Sequence, residues 1–262
     1  MLKDILKKAQ KEGYAIGQFN FSTFEQLRGI LDASKNLKTP VILGMSEGEL
    51  KYMGLEEVMA IVEISKNKYG VEAYLNLDHG KDKELIKKCI DYGFSGVHFD
   101  GSGLPLEKNT EYVKTIVEYA HKKNVLVEGE LEEIGGKKRY SLEEIHDFVK
   151  KTEIDSLAIA IGSVHGLGKV TLDFERLKKI KEKVSQFLVL HGGSGIPNSQ
   201  IKKAIKLGIV KININTEIRV AWREGFIGAL KKKEIKPYNI VPVVQKNIQK
   251  KVAEKIKLFK TN

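Results

Sequence analysis

Residues 157–166 read Leu-Ala-Ile-Ala-Ile-Gly-Ser-Val-His-Gly, an apolar run that passes directly into a histidine and a glycine. The apolar part lacks the polar alternation of a half-exposed strand, so it predicts a parallel strand buried on both faces. Similar runs recur along the chain, separated by amphipathic, lysine-rich segments. We predict strands at residues 15–20, 40–45, 73–78, 96–100, 125–131, 156–161, 187–191 and 209–215.

Strands that alternate with helices predict a parallel sheet, and eight strands are the number that closes a (β/α)8 TIM barrel. The length of 262 residues suits one such barrel, so we expect residues 1–262 to form a single domain. A doubly wound open sheet is the alternative fold. Serine-x-x-glutamate patterns at residues 22–25 and 141–144 predict capping boxes at the start of two helices.

The composition limits the possible classes of function. A single cysteine, Cys89, precludes an internal disulfide and fits a cytoplasmic location. The sequence contains no apolar run long enough for a membrane span, and its first residues lack a signal-peptide core. The net charge of +11 attracts anions, but the lysines are spread along helical segments. This pattern indicates solvated helix faces rather than a nucleic-acid or membrane surface.

Polar residues follow the predicted strands at the rim where a TIM barrel forms its active site. Three strand ends carry a histidine followed by glycine, namely His79, His165 and His191. Three imidazoles with an open fourth position are typical of a catalytic zinc site. His98 lies inside a strand, and we interpret it as a core or rim residue rather than a ligand.

A glycine-rich turn at residues 192–195 follows the seventh strand and precedes a helix. The backbone amides of such a turn can bind phosphate, and TIM barrels often use the loops after strands seven and eight for this purpose. Asp78 lies beside His79. Its carboxylate suits either proton transfer or the orientation of a histidine, and the neighbourhood alone favours neither role.

Taken together, these segments resemble the class II fructose-bisphosphate and tagatose-bisphosphate aldolases over nearly the whole chain. The order of the segments makes the resemblance specific, although several are short. They are residues 19–20, 40–43, 46–48, 51–54, 77–80, 93–94, 100–102, 128, 130–131, 134–136, 158–162, 165–166, 172–174, 190–197, 211–213 and 216.

The resemblance implies that His79, His165 and His191 hold a catalytic Zn²⁺ and that Asp78 transfers the proton of the C4 hydroxyl group. Asp100 and Glu130 match a second or resting site for a divalent metal. The residues implied at the substrate are Asn20, Ser46, Gly166, Gly192, Gly193, Ser194, Asn213, Asn215 and Thr216. Relatives often use Na⁺ or K⁺ at the phosphate and form dimers or tetramers, so a monovalent cation and a homo-oligomer are further expectations.

The implied reaction is the cleavage of fructose 1,6-bisphosphate into dihydroxyacetone phosphate and glyceraldehyde 3-phosphate, as in glycolysis. One alternative is a tagatose-bisphosphate or other ketose-phosphate aldolase. A second alternative is a homologue that binds zinc and sugar phosphate without catalysis. A third is a Schiff-base aldolase that uses Lys211 on the eighth strand, although the three rim histidines favour a metal.

Three segments depart from the family pattern. One is the loop after His165-Gly166, which is shortened, so that residues 167–170 lead quickly to residues 172–174. After Gly135-Gly136, relatives carry acidic residues, one of which can serve as the enolising base, whereas this chain has Lys137-Lys138-Arg139. Glu132 and Glu133 are candidate substitutes; the alternative is that both are solvated. The Asp-Pro-Arg segment whose arginine binds the distal phosphate is replaced by residues 236–238, Lys-Pro-Tyr. We hypothesise that residues 137–139 supply the missing positive charge; the alternative is that they are solvated loop residues.

Overall fold

The computed structural model describes residues 1–168, 170–231 and 234–260. Its parallel strands form a closed barrel in which β1 pairs with both β2 and β8. The strands are β1 Ile16–Asn20, β2 Val41–Ser46, β3 Ala73–Gly80, β4 Gly96–Asp100, β5 Leu126–Glu130, β6 Ser156–Ala158, β7 Phe187–Leu190 and β8 Ile209–Ile214. The closed order confirms the predicted (β/α)8 TIM barrel and excludes the doubly wound sheet, which has two free edges.

The helices surround the barrel, and the core lies between them and the strands. They are α1 Leu2–Glu12, α2 Phe24–Leu37, α3 Glu47–Met53, α4 Leu55–Tyr69, α5 Lys83–Asp91, α6 Leu106–His121, α7 Leu142–Thr152, α8 Phe174–Lys183, α9 Asn198–Lys206, α10 Thr216–Leu230 and α11 Pro237–Phe259. In the described part of the chain, no helix combines the length and apolarity needed to cross a membrane.

Helix α1 covers the amino end of the barrel. It buries Leu2, Leu6 and Ala9 in a separate apolar cluster that includes Ile42 of β2 and Val210 of β8. Apolar burial of this kind contributes about 25 cal/mol per Å² to folding. Because α1 closes one end, the carboxyl ends of the strands are left to form the open rim.

Two local predictions need correction. The sixth strand ends at Ala158 rather than at residue 161, because Ile161 leaves the ladder and its carbonyl accepts a hydrogen bond from the Asp173 amide at 2.7 Å. Helix α2 has Thr23 as its N-cap, and the Ser22 amide donates to Gln26 Oε1, so the capping box predicted at residues 22–25 is wrong. The capping box at Ser141–Glu144 is confirmed.

Candidate active site

A pocket opens at the carboxyl end of the barrel, where residues far apart in sequence meet. The described residues that line it are Ser46, Asp78, His79, His165, Gly166, His191, Gly192, Ser194, Asn213, Asn215, Thr216 and Arg219. All but Arg219 were predicted from the sequence. Four other predicted residues, Asn20, Asp100, Glu130 and Gly193, do not line the pocket, but each contacts a residue that does.

An irregular end of β3 positions His79. The register of β3 against β4 shifts between Leu77 and Gly80, and His79 has a positive φ of 53°. Residues other than glycine rarely adopt this left-handed backbone conformation outside turns and functional sites. The conformation directs the His79 amide to Nδ1 of His98, which accepts its hydrogen bond at 3.0 Å. The buried His98 therefore helps to fix the backbone of His79.

The three predicted zinc ligands come together at the pocket. Nε2 of His79 lies 2.9 Å from Nδ1 of His191, and the His79 ring is centred 5.1 Å from that of His165. Nitrogen ligands about 2.0–2.1 Å from a tetrahedral zinc lie roughly 3.3 Å apart, so the two facing nitrogens need only a small adjustment to share an ion. The donor set therefore fits a divalent metal.

Carboxylates occupy the far nitrogens of two of these histidines. Asp100 Oδ2 lies 3.2 Å from Nδ1 of His79, and Glu128 Oε1 lies 2.6 Å from Nε2 of His191. A carboxylate on the outer nitrogen is the usual way in which proteins fix the tautomer of a metal-ligating histidine. In this geometry Asp100 supports His79 rather than facing the pocket itself.

The charges of the site are arranged around His79. Burial lowers the pKa of His79, but the hydrogen bond with Asp100 and the neighbouring Asp78 outweigh it and raise this pKa to about 9. Burial, followed by the nearby His79, lowers the pKa of His165. Burial also lowers the pKa of His191, despite its contact with Glu128. The acidic surroundings that hold a proton on His79 would equally attract a metal cation.

Asp78 is held by two amides. Its Oδ2 accepts from Nδ2 of Asn20 at 2.9 Å, and its Oδ1 accepts from Nδ2 of Asn213 at 3.0 Å. Burial raises the pKa of Asp78, but the neighbouring His79 and His191 lower it to about 2. The carboxylate is thus ionised and fixed at the wall of the pocket. Asn20 and Asn213 therefore contribute by orienting Asp78, a role that strand-end position alone did not predict.

Asp100 and Glu130, predicted as a second metal site, cluster with His79. One potential ligand atom from each of the three residues lies within 4.8 Å of the others. Glu130 Oε2 and His98 Nε2 are 3.4 Å apart, yet both atoms are buried without a hydrogen-bond partner in the described structure. His98 was predicted to be a core or rim residue. It is fully buried, as expected of the core, and belongs to a second potential ligand group with Asp78, His79 and His191.

The loops after β7 and β8 form the opposite wall of the pocket. Gly192 has a φ of 64°, and a Cβ atom there would lie 2.4 Å from the Val164 carbonyl oxygen, so this position requires glycine. The Gly195 amide donates to Glu217 at 2.7 Å and thereby ties the glycine-rich turn to the start of α10. The first residues of α10 face the same space, because Asn215 and Thr216 line the pocket.

Sequence reasoning missed Arg219 and Glu49. Arg219 Nη2 donates to Glu49 Oε1 at 3.0 Å, and its half-exposed guanidinium lines the pocket. The buried Glu49 also accepts from Nδ2 of Asn20 at 3.1 Å, which links Arg219 to the network around Asp78. Both residues lie within the first four residues of a helix that follows a strand. Helical position and charge were the available signals, and neither is specific.

The loop after β5 carries charged side chains that were considered above as a base or as phosphate ligands. These side chains lie outside the pocket lining. Glu132 is buried in an ion pair with Arg176 and accepts from the Tyr140 amide at 2.6 Å. Arg139 donates to the carbonyls of Gly136 and Lys138 within its own loop. Lys138 Nζ lies 4.5 Å from the centre of the Tyr140 ring. None of these side chains is among the described residues that line the pocket.

Comparisons with known proteins identify the relatives of this chain. The family model for class-II fructose-bisphosphate aldolase matches residues 1–262. The chain is 39% identical to a 6-phospho-5-dehydro-2-deoxy-D-gluconate aldolase of Shouchella clausii, over 97% of this chain and 92% of the relative. It is 38% identical to a fructose-bisphosphate aldolase of Staphylococcus aureus, over 100% and 97%. The solved YdjI aldolase of Escherichia coli K12 superposes with a TM-score of 0.90 at 32% identity, over 99% and 96%.

A closed parallel barrel with a histidine cluster at its open rim, together with these matches, indicates an enzyme of the lyase class. The chain belongs to the class-II fructose-bisphosphate aldolase family. Its relatives nevertheless carry the names of aldolases for different phosphorylated substrates, so membership of the family leaves the individual substrate open.

Proposed function

We propose that this chain cleaves fructose 1,6-bisphosphate into dihydroxyacetone phosphate and glyceraldehyde 3-phosphate, using Zn²⁺ held by His79, His165 and His191. The observation that carries the proposal is the pairing of Nε2 of His79 with Nδ1 of His191, 2.9 Å apart, beside the ionised Asp78. When bound, zinc supplies Lewis-acid polarisation of the ketone oxygen.

Asp78 is the proposed proton acceptor. During cleavage the C3–C4 bond breaks, its electron pair stays on C3, and Asp78 takes the proton of the C4 hydroxyl group as C4 becomes an aldehyde. Two amides, from Asn20 and Asn213, fix both oxygens of Asp78. They orient the carboxylate without neutralising it, which suits a general base.

The phosphate of the dihydroxyacetone-phosphate half is proposed to bind between Gly166, Ser194 and the start of α10. Backbone amides of the glycine-rich turn and the positive end of a helix dipole both favour a phosphate at this position. Asn215 and Thr216 supply further polar groups on the same wall. The same wall would hold the monovalent cation expected from the resemblance.

Arg219 is the proposed ligand of the distal phosphate. It lines the pocket, whereas Arg139 is engaged with its own loop and Lys138 lies over Tyr140. This assignment replaces the hypothesis that residues 137–139 bind this phosphate. Substitution of Arg219 by alanine should raise the KM for the bisphosphate at least tenfold, as expected for the loss of one charge-assisted hydrogen bond of about 1.5–3 kcal/mol.

The matched control is replacement of residues 137–139 by three alanines, which should leave the KM within about twofold, since exposed loop charges contribute little. A rise in KM in the triple variant, with no change in the Arg219→Ala variant, would return the role to the loop. Glu133, which is exposed at the base of this loop, is the remaining candidate for the enolising base. Glu132 is excluded from that role by its ion pair with Arg176.

The decisive experiment is a cleavage assay with fructose 1,6-bisphosphate, before and after chelation, followed by zinc addition. Activity that is lost with the chelator and restored by zinc supports the proposal. Parallel assays should use tagatose 1,6-bisphosphate and 6-phospho-5-dehydro-2-deoxy-D-gluconate, since one relative is named for the latter substrate. Stoichiometric zinc binding without cleavage of any ketose phosphate would favour the non-catalytic alternative.

Three expectations accompany this function as proposals. Residues 1–262 would act as one catalytic domain, and the protein would assemble as a homodimer or homotetramer. The location would be cytoplasmic, because phosphorylated sugars are multiply charged anions that do not cross a bilayer unaided and are retained inside the cell. Size-exclusion chromatography with light scattering tests the assembly.

A further inference from the structure

Two charged side chains lie inside the barrel below the pocket and outside its lining. Lys211 of β8 and Glu128 of β5 are each 3% exposed, and Lys211 Nζ lies 2.6 Å from Glu128 Oε2. Desolvation of such a pair offsets much of its attraction, so a buried ion pair is weak evidence for a stabilising role. The second carboxylate oxygen of Glu128 makes a further contact, which indicates another role for this ion pair.

Glu128 Oε1 lies 2.6 Å from Nε2 of His191. A carboxylate is only an acceptor, so this contact requires a proton on Nε2 of His191. In the neutral imidazole the other nitrogen, Nδ1, then carries a free lone pair. Nδ1 is the atom that faces Nε2 of His79 at 2.9 Å. Glu128 therefore determines which nitrogen of His191 is presented to the pocket.

We propose that Lys211 is a positioning residue for the metal site, which acts by holding Glu128 against Nε2 of His191 so that Nδ1 points toward the metal. Lys211 touches neither the substrate nor the ion in this arrangement. The inference rests on the proposed zinc site and extends it by one further residue. It also gives Lys211 a role different from that of a Schiff-base nucleophile, which would have to line the pocket.

The test is the zinc affinity of the metal-free full-length protein, measured by competition with a chromophoric chelator. Loss of a partner behind a ligating histidine typically weakens metal binding about 10–100-fold, and we expect this loss for Lys211→Met. Lys211→Arg retains the positive charge and should recover part of the affinity. The matched control is Lys255→Met, because Lys255 is also buried and ion-paired, 2.7 Å from Glu217, on α11. Its zinc affinity should equal that of the wild type.

A purely structural role for Lys211 would lower the melting temperature of the metal-free protein in both methionine variants and leave both zinc affinities unchanged, which would overturn the inference. If Lys211→Met does not fold, the double variant Lys211→Met/Glu128→Gln removes the uncompensated charge and must still bind zinc more weakly than the wild type. Wild-type affinity in that variant would also overturn it.

The outcomes separate this inference from the proposed function. If the wild type binds no zinc, the zinc site itself is wrong. If the wild type binds zinc and Lys211→Met binds it equally well, only the positioning role fails. A borohydride-stable adduct with substrate that disappears in Lys211→Met would assign Lys211 as a nucleophile and would contradict the positioning role directly.

Discussion

Both ends of the barrel carry histidines and carboxylates, but the two ends differ in whether their polar atoms have hydrogen-bond partners. At the amino end, the Asp155 carboxylate, 5% exposed, accepts from Lys3 Nζ at 3.0 Å, His121 Nε2 at 2.9 Å and the Val127 amide at 3.0 Å. Clefts lie beside this cluster as well. A histidine, a carboxylate and a cleft therefore do not by themselves identify a site.

The carboxyl end differs because some of its buried polar atoms are left without partners. These include Nε2 of His98, Oε2 of Glu130 and Oδ1 of Asn213, considering only the described residues. Buried polar atoms in native proteins are nearly always hydrogen-bonded, so unpaired atoms gathered at one rim indicate a ligand that completes them. Pairing, more than residue type, separates the functional end from the structural end.

The largest difference between the two ends is expected when one histidine at each end is replaced by alanine. His191→Ala should abolish stoichiometric zinc binding and reduce aldolase activity by more than the roughly 100-fold that loss of an outer partner costs. His121→Ala, at the amino end, should leave both within about twofold. Metal analysis after dialysis and steady-state kinetics measure the two effects. Equal losses in both variants would mean that the two ends do not differ in function.

A change at Asp78 should separate proton transfer from metal binding. Asp78→Asn retains the shape of the side chain but removes the base, so kcat should fall by about 10²–10⁴ while the zinc content remains stoichiometric. Asp82→Asn is the matched control, because Asp82 caps α5 and asparagine is an equally good cap. If Asp78→Asn instead loses zinc and keeps the kcat of its loaded fraction, Asp78 orients a ligand.

Much of the rim could be predicted from the sequence because the barrel geometry brings every strand end to one place. His79 and His191 needed only correctly placed strands for their meeting to follow, whereas His165 lies seven residues beyond the end of β6 and reaches the rim through the loop that follows. Arg219 and Glu49 could not be found in this way, since their positions depend on how α10 and α3 pack at the rim. The distances between side chains on different elements exist only in the folded chain.

The sequence also contained a weaker signal for the charged residues inside the barrel. Glu128 and Lys211 interrupt apolar strands, and each lies two residues before a predicted site residue, Glu130 and Asn213. Because side chains alternate along a strand, each pair points to the same face. A charged residue at such a position indicates an internal ion pair. Its specific partner, His191, depends on the packing across the barrel and required the structure.

The amino-end cluster should affect stability rather than catalysis. Asp155→Ala leaves three donors without their acceptor, so the free energy of unfolding should fall by about 1–3 kcal/mol. Its kcat and KM should stay within twofold of the wild type below the melting transition. Asp147→Ala, at an exposed position of α7, is the control and should change stability by less than about 0.5 kcal/mol. Denaturant titration and kinetics on the same preparations measure both quantities.

The smallest expected effect concerns the reactivity of the Cys89 thiol, which measures how much each end of the barrel stabilises the fold. Its thiol is fully buried, and burial raises its pKa to about 12, so roughly one molecule in 10⁴ carries a thiolate at pH 8. We expect no reaction with a disulfide reagent at pH 8 in the native wild type and rapid reaction in denaturant.

The two ends should then differ in their influence on this thiol. His191→Ala should leave Cys89 unreactive, because the site contributes to function more than to the packing of the helices that bury this thiol. Asp155→Ala should accelerate the reaction exponentially with its loss of free energy of unfolding, since the thiol reacts through unfolding. Faster labelling in His191→Ala than in Asp155→Ala would show that the carboxyl-end network stabilises the barrel more than the paired cluster does.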